Sequence, residues 1–485
     1  MLRRDFFRCF VTSLIVILIA LFPLLLSVYP FADDVYRSYW PASVDWTDLN
    51  ARPLIGWIFQ AMSLNQAIIN LHPLTLILSI GILALASATL CAVLQKRPTI
   101  LGGLAASLLA IFPYCLANWS YHFDCLPHAL AMFLSITPFF IWKYRPKYFL
   151  PSLLLITVIV PMLYQPAINV AIIVALAVCA QLIYQHNLKT ALQFLLKTAI
   201  VMLVGGSIYL LLITLFFPAS GIYYDAISQP MTWKTFLMNF HNSIFMMSIN
   251  HLGDWLSIFM ILSMLFFIYI ALKFKRYLYL IVLPLMYLAA YGVLFLISHT
   301  EPLVNTPYLA YGTFFAAATL LVLELLNDKL DKVIASVIIT GFIFSCLILS
   351  HLYSRVLLMD NDYVQQHINN LVTIMINTPL DCKKACFVYV YGDEDNTAMY
   401  SNYLGRYQHH QLLPKAIADL IHYQKGWQKD RFDYYLPSNI FLRYPSLEQL
   451  EQTTNREILV DNVIYRVETA TDGDRNGFII HIFHN

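Results

Sequence analysis

Apolar runs long enough to cross a hydrocarbon core as helix, about 20 residues each, recur along this chain as far as Leu352. They lie near 9–29, 72–94, 99–117, 126–142, 148–164, 167–185, 198–217, 255–272, 277–297, 309–326 and 333–352. This pattern predicts an all-α polytopic membrane domain over 1–352 with about 11 transmembrane helices. An external loop, 30–71, separates the first two runs. Its moderately apolar stretch 54–70 reads as a helix lying along the interface rather than another crossing. Beyond Leu352 the pattern changes. Strand-like runs occupy 387–391, 458–460, 463–467 and 478–483, with Asp461-Asn462 as a turn signal and a helical pattern over 411–424. A small C-terminal α/β domain, 353–485, is expected there.

Charge orients the spans. Arg3, Arg4 and Arg8 precede the first run, and alternate loops carry Lys96/Arg97, Lys143/Arg145/Lys147, Lys189/Lys197, Lys273/Lys275/Arg276 and Lys329/Lys332. Lys and Arg collect on the cytoplasmic side of short loops, so the N-terminus is expected inside. Eleven crossings then put the C-terminal domain outside, in the periplasm if the membrane is a bacterial inner membrane. The first run is long for a signal peptide and ends at Ser27-Val28-Tyr29-Pro30 without a small-x-small site, so a retained anchor is expected. Composition agrees: hydrophobic residues are 59% and charged residues 12%, about half the charge of a soluble domain. A net charge of +2 gives no ground for nucleic-acid binding.

Cys9, Cys91, Cys179 and Cys346 fall in or beside spans and read as apolar filler. Cys382 and Cys386 lie on the oxidising side and can form a local disulfide or stay reduced. Cys115 and Cys125 flank one external loop and could also pair. No metal site is expected.

Candidate chemistry concentrates in the loop after the first span. Asp33 and Asp34 follow the apolar run almost at once, and Arg37 stands one helical turn on. Trp40 and Trp46 follow, then Asn50-Ala51-Arg52-Pro53. Adjacent acids so close to lipid are costly unless partnered or used. One chemistry fits them: a carboxylate takes the proton of an acceptor hydroxyl attacking a sugar carbon, while a cation holds the departing phosphate of a lipid-linked donor. Three further external residues have two readings each. Asp124 could bind sugar hydroxyls or pair within the protein. Gln165, preceded by Tyr164 at a break between spans, could bond a sugar hydroxyl or cap exposed backbone. Glu301 is another external acid, functional or merely solvated. Asp225, Lys234, His241 and His251 in the external segment 218–254 read as solvated surface, in a loop long enough to cover a groove.

The Asp-Asp-x-x-Arg of residues 33–37, the Trp-rich loop, Arg52-Pro53 and Tyr164-Gln165 resemble the membrane glucosyltransferases of bacterial O-antigen serotype conversion (Gtr-type). That family belongs to the broader GT-C class, and the likeness covers roughly residues 1–350. It implies an inverting transfer of glucose or a similar sugar from an undecaprenyl-phosphate (polyprenyl-phosphate) donor to a lipid-linked O-antigen or related surface glycan. No cofactor is implied. By resemblance Asp33 or Asp34 is the base, with Asp33 slightly favoured, and Arg37 and Arg52 hold phosphate or orient the acids. Asp124, Tyr164, Gln165 and Glu301 join them as candidate substrate contacts. Three rivals stand beside this reading, one of them a non-enzymatic envelope assembly protein whose C-terminal domain binds a partner. A transporter or flippase would place charge at mid-membrane and show internal repeats, and neither is evident. An O-antigen polymerase would carry an arginine-rich external loop, whereas cations here are few.

Overall fold

The computed structural model describes residues 2–27, 29–32, 34–39, 45–48, 50–64, 68–185, 187–217, 232–247, 252–296, 306–380, 386–391, 440–443, 452–461, 465–472 and 475–482. Asp33, Trp40, Asp225, His251, Glu301, Cys382 and the expected helix 411–424 lie outside the described residues. Two compact units emerge. The first joins Met1–Val28 to Pro41–Leu352, and the second joins Tyr29–Trp40 to Tyr353–Asn485.

The first unit is helical. Each of the eleven apolar runs carries helix: α1 (Leu2–Leu25), α5 (Leu74–Leu94), α6 (Ile100–Ile111) with α7 (Leu116–Ser120), α8 (Cys125–Tyr144), α9 (Phe149–Tyr164), α10 (Ile168–Gln185), α11 (Leu188–Phe216), α13 (Asp254–Lys273), α14 (Tyr279–Tyr291), α15 (Ala310–Leu325) and α16 (Lys329–Asn377). Among the described residues seven segments suffice to span by length and hydropathy, or eight with the bent α6–α7 pair. Pro146–Gln185 counts as one of these although it holds both α9 and α10, and Tyr279–Phe295 and Ala310–Leu325 are shorter apolar helices. The shorter elements are α3 (Asp45–Asp48), α4 (Pro53–Ser63) and α12 (Trp233–Met246), with α2 (Asp34–Tyr39) belonging to the second unit.

Three features depart from the sequence pattern. First, α16 runs past Leu352 to Asn377. Asp360 and Asp362 lower the hydropathy there, but Ile368, Leu371 and Met375 are buried at helical spacing. Second, the connection between α6 and α8 is not a surface loop. Tyr114, Cys115, Trp119 and Phe123 are buried, and the α6–α7 pair bends by 50°. The possible pairing of Cys115 with Cys125 does not occur; both are free thiols, and Cys115 bonds the Leu109 and Leu309 carbonyls instead. Third, α12 occupies part of the segment read as solvated. Its buried stripe is polar, with Thr235, Asn239 and Ser243, while Trp233, Leu237, Phe240 and Ile244 are exposed.

Broken helices are held by side chains. The Asn169 amide of α10 accepts from Val293 N (3.0 Å) and donates to the carbonyls of Ala290 and Tyr291 (3.4 and 3.3 Å), where α14 gives way to a 3-10 turn at Gly292. At the other end of the bundle, Lys143 Nζ donates to the carbonyls of Ala92, Val93 and Gln95 at 2.7–3.1 Å, and Gln181 donates to that of Leu94 at 2.6 Å. These are the orphan carbonyls of the α5 C-terminus.

The second unit contains a five-stranded sheet of order β2-β1-β5-β4-β3, with β1 (Cys386–Tyr391), β2 (Ile440–Arg443), β3 (Thr454–Asp461), β4 (Tyr465–Asp472) and β5 (Arg475–Ile482). β1 runs parallel to both its neighbours, and β5-β4-β3 is an antiparallel meander. Phe387 and Tyr389 pack with Ala470 and Ile479 on one face, while Val388, Val467 and Ile480 are buried on the other. Burial on both faces explains the uninterrupted apolar run of β1. Cys386 is disulfide-bonded.

Candidate active site

The loop candidates divide between the units: Asp33, Asp34 and Arg37 fall in the second, Arg52 in the first. In the second unit, the Tyr29 hydroxyl donates to Asp362 of α16 at 2.8 Å, and α2 starts at Asp34, whose N–H bonds the Phe31 carbonyl. Asp34 is fully buried and faces Arg37 one turn on, at 3.7 Å. The i, i+3 spacing delivers this pair, as expected. Asp34 and Arg37 therefore sit within a buried ion pair, and Arg37 is occupied with neutralising its own neighbour.

Arg52 belongs to the first unit and has a different setting. Ala51 adopts a left-handed φ of 55°, and the Arg52 N–H bonds the Trp46 carbonyl at 2.6 Å; Pro53 then opens α4. The Arg52 Nε donates to Gln165 Oε1 at 2.6 Å, and its guanidinium lies 4.8 Å from the Tyr164 ring centroid. Arg52 makes no ion pair with an acid of the described residues. Its two terminal nitrogens remain for a ligand, in the fork geometry that suits phosphate.

The three other described candidates face inward. Gln165 spends both halves of its amide inside the protein, accepting from Arg52 and donating to the Asn50 carbonyl (2.7 Å) and the Tyr209 hydroxyl (3.2 Å). The amide orientation follows from the donor on Arg52. Tyr164 is buried, with its ring against Arg52 and, at 3.8 Å, against His128; it acts as a platform for the cation. Asp124 does lie beside the first loop, where it accepts from the Trp46 indole at 2.6 Å. Trp46 stacks on Phe59 of α4 and tilts against Phe123, and Ile55 and Ile68 complete this cluster. The stretch 54–70 thus contains a helix with one face packed and with Trp57 exposed.

Sequence reasoning missed the histidines beside this loop. His72 and His122 stack with ring centroids 3.8 Å apart, and Asn70 bonds His122 Nδ1 at 3.0 Å. Burial lowers His72 to about 4, partly opposed by the backbone of Leu24 and Ser27; burial and then the neighbouring His72 hold His122 well below the ordinary range. Tyr209 was missed too. Its only sequence signal is a polar ring on the buried stripe of α11. Among the described residues no group of three His, Cys, Asp or Glu side chains could hold a metal ion.

Residues 22–323, well over half of the chain, match the family described as glucosyl transferase GtrII. The chain belongs to the GtrII glucosyl transferase family. The matched span includes α4, Arg52, Asp124, Gln165 and Tyr209, and the segment with Asp33, Asp34 and Arg37. An uncharacterized 55.3 kDa protein in the gtrB 5′ region of Salmonella phage P22 is 33% identical over 157 residues, 32% of each chain. The match thus spans about a third of that relative's length. No solved structure matches this GtrII-family chain.

Proposed function

We propose that this membrane protein is an inverting glycosyltransferase, moving glucose from a polyprenyl-phosphate donor to a lipid-linked O-antigen or related surface glycan at the periplasmic face. The observation that carries the reading is Arg52: a guanidinium anchored through Nε, with no acid partner among the described residues and its terminal nitrogens uncommitted. A phosphate diester bonded to that fork would become a better leaving group as negative charge grows on it. The family resemblance supplies the sugar and the lipid carrier.

In the proposed reaction an acceptor hydroxyl gives its proton to a loop carboxylate while its oxygen attacks the anomeric carbon. The bond from that carbon to the phosphate oxygen breaks, its electron pair leaves with the polyprenyl phosphate, and the anomeric configuration inverts. Asp33 is the proposed base. The Asp34 carboxylate faces Arg37 in a buried pair, which suits it to holding α2 rather than to exchanging protons. Transfer is favoured over transport because the charged side chains of the spans, such as Lys143 and Glu324, bond at one end of the bundle.

Membranes containing the full chain, incubated with labelled undecaprenyl-phosphate glucose and an O-antigen acceptor, test this. Transfer is expected from wild type and not from Asp33→Asn. Transfer from a nucleotide sugar, with none from any polyprenyl-phosphate sugar, would overturn the donor assignment.

A further inference from the structure

Behind Arg52 stands a bonded network that reaches a residue on a distant helix. We infer that Tyr209 of α11 is a positioning residue for the donor phosphate, acting through Gln165 and the Ala51 backbone on Arg52; this rests on the donor reading above. The Tyr209 hydroxyl donates to the Ala51 carbonyl at 3.1 Å and accepts from Gln165 Nε2 at 3.2 Å. The same amide donates to the Asn50 carbonyl and accepts from Arg52 Nε. One phenol therefore grips both the main chain just before Arg52 and the amide that aims its guanidinium.

The placement of this hydroxyl is costly by itself. Tyr209 is buried in an apolar cluster with Ala51 and Ile213, against which Met162 and Phe217 pack. Burying a phenol there is unfavourable unless its oxygen is bonded, and Phe would fill the same space. The buried stripe of α11 also includes Gly205, where an added Cβ would press on Thr157 of α9. Close approach of the two helices brings Tyr209 within reach of the Gln165 turn. Meanwhile Ala51 occupies a left-handed conformation that non-glycine residues rarely hold without support. The bond to its carbonyl is such a support. Left to itself, a long arginine side chain samples many rotamers; held at Nε, it presents one fork. A phosphate bearing two free oxygens is the ligand chemistry that this fork selects, and a neutral polyprenol is not.

The test is binding by the purified full-length protein in detergent, with undecaprenyl phosphate as probe and undecaprenol as control. Wild type is expected to prefer the phosphate, and Arg52→Ala to lose the preference. Tyr209→Phe should weaken phosphate binding about 3- to 10-fold, the scale of one or two bonds in a charged network, with undecaprenol binding unchanged. Gln165→Leu should do the same, and Gln165→Glu, which keeps the acceptor for Arg52 Nε, should recover part of the loss. If Arg52→Ala removes the preference while Tyr209→Phe and Gln165→Leu both bind like wild type, the role of Tyr209 is overturned and the donor reading stands. If Arg52→Ala itself keeps the preference, both fall. Should Tyr209→Phe not purify as a single species, the two Gln165 variants, which leave α11 intact, carry the same comparison.

Discussion

Trp46 and Asp124 show how a candidate binding residue becomes a structural one. The indole N–H meets the carboxylate at 2.6 Å between two buried side chains. Removing the donor by Trp46→Phe should cost about 1–3 kcal/mol, the scale of a buried hydrogen bond to a charged group. Asp124→Asn keeps an acceptor oxygen and should stay within about 1 kcal/mol of wild type. Thermal unfolding in detergent, followed by tryptophan fluorescence or by loss of monodispersity, separates the two. The stacked histidines predict a pH effect. His72 is held near 4, below its ordinary 6.5, so the unfolded chain takes up a proton that the folded ring refuses. Stability from the neutral stack is complete above about 6.5 and declines as pH falls toward about 4. The unfolding temperature should therefore drop between pH 7 and 5 in wild type, and less in His72→Asn; equal slopes would remove the assignment. At this scale the sequence exposed pairs close along the chain. Asp34 and Arg37, one turn apart, are an example. It hid the bonds of Arg52 to Gln165 and of Ala51 to Tyr209, because bonds between residues more than a hundred positions apart leave no local pattern.

Among the elements, α12 reverses the arrangement of a soluble amphipathic helix. Thr235, Asn239 and Ser243 face the protein, with the Asn239 amide on the Leu294 carbonyl at 3.2 Å, while Trp233 is 73% exposed and Leu237, Met238, Phe240 and Ile244 face outward beside the exposed Lys234 and His241. Apolar outside and polar inside is the order expected where lipid is the solvent. Fourteen residues rise only about 21 Å, short of the hydrocarbon thickness of about 30 Å. Brominated lipids should quench Trp233 fluorescence strongly, as read from the difference between wild type and Trp233→Phe; quenching by aqueous iodide instead would place this helix in water. The break at Gly292 makes a second prediction. Its φ is +41°, and a Cβ there would run into the Asn169 amide, so Gly292→Ala should destabilise. Asn169→Leu leaves a backbone N–H and two carbonyls unsatisfied and should cost about 1–3 kcal/mol. Combining Gly292→Ala with Asn169→Ala should recover part of the Gly292→Ala loss, measured by the same thermal assay. Hydropathy located the helices because span length is a coarse signal. It passed over α12, whose mixed composition masks its geometry, and the extension of α16, whose aspartates resemble the end of a span.

For the molecule as a whole, loop parity read from Lys and Arg finds a counterpart in the contacts. Lys96 N bonds Glu324, Lys143 reaches residues 92–95, Lys273 pairs with Asp328 and Asp331, and the Leu278 N–H bonds Tyr184. All of these join loops assigned inside. Trp46 with Asp124, Arg52 with Gln165, and Asn70 with His122 join loops assigned outside. Single cysteines at Asn187 and Arg97, in a variant lacking the native thiols, should resist a membrane-impermeant maleimide in intact spheroplasts, while one at Leu64 should react; the reverse pattern would invert the protein and remove the donor from reach. The β-hairpin of the second unit was readable from its turn, whereas β2, four residues long, carries too short a pattern. The closure of α5 by Lys143 and Gln181 bears on biogenesis. Until those two side chains have been synthesised, the last carbonyls of α5 must keep water or translocon contacts. The second span can therefore settle fully only after the ribosome has passed residue 181, and a chain truncated before that point would retain an exchangeable, protease-sensitive end at Leu94.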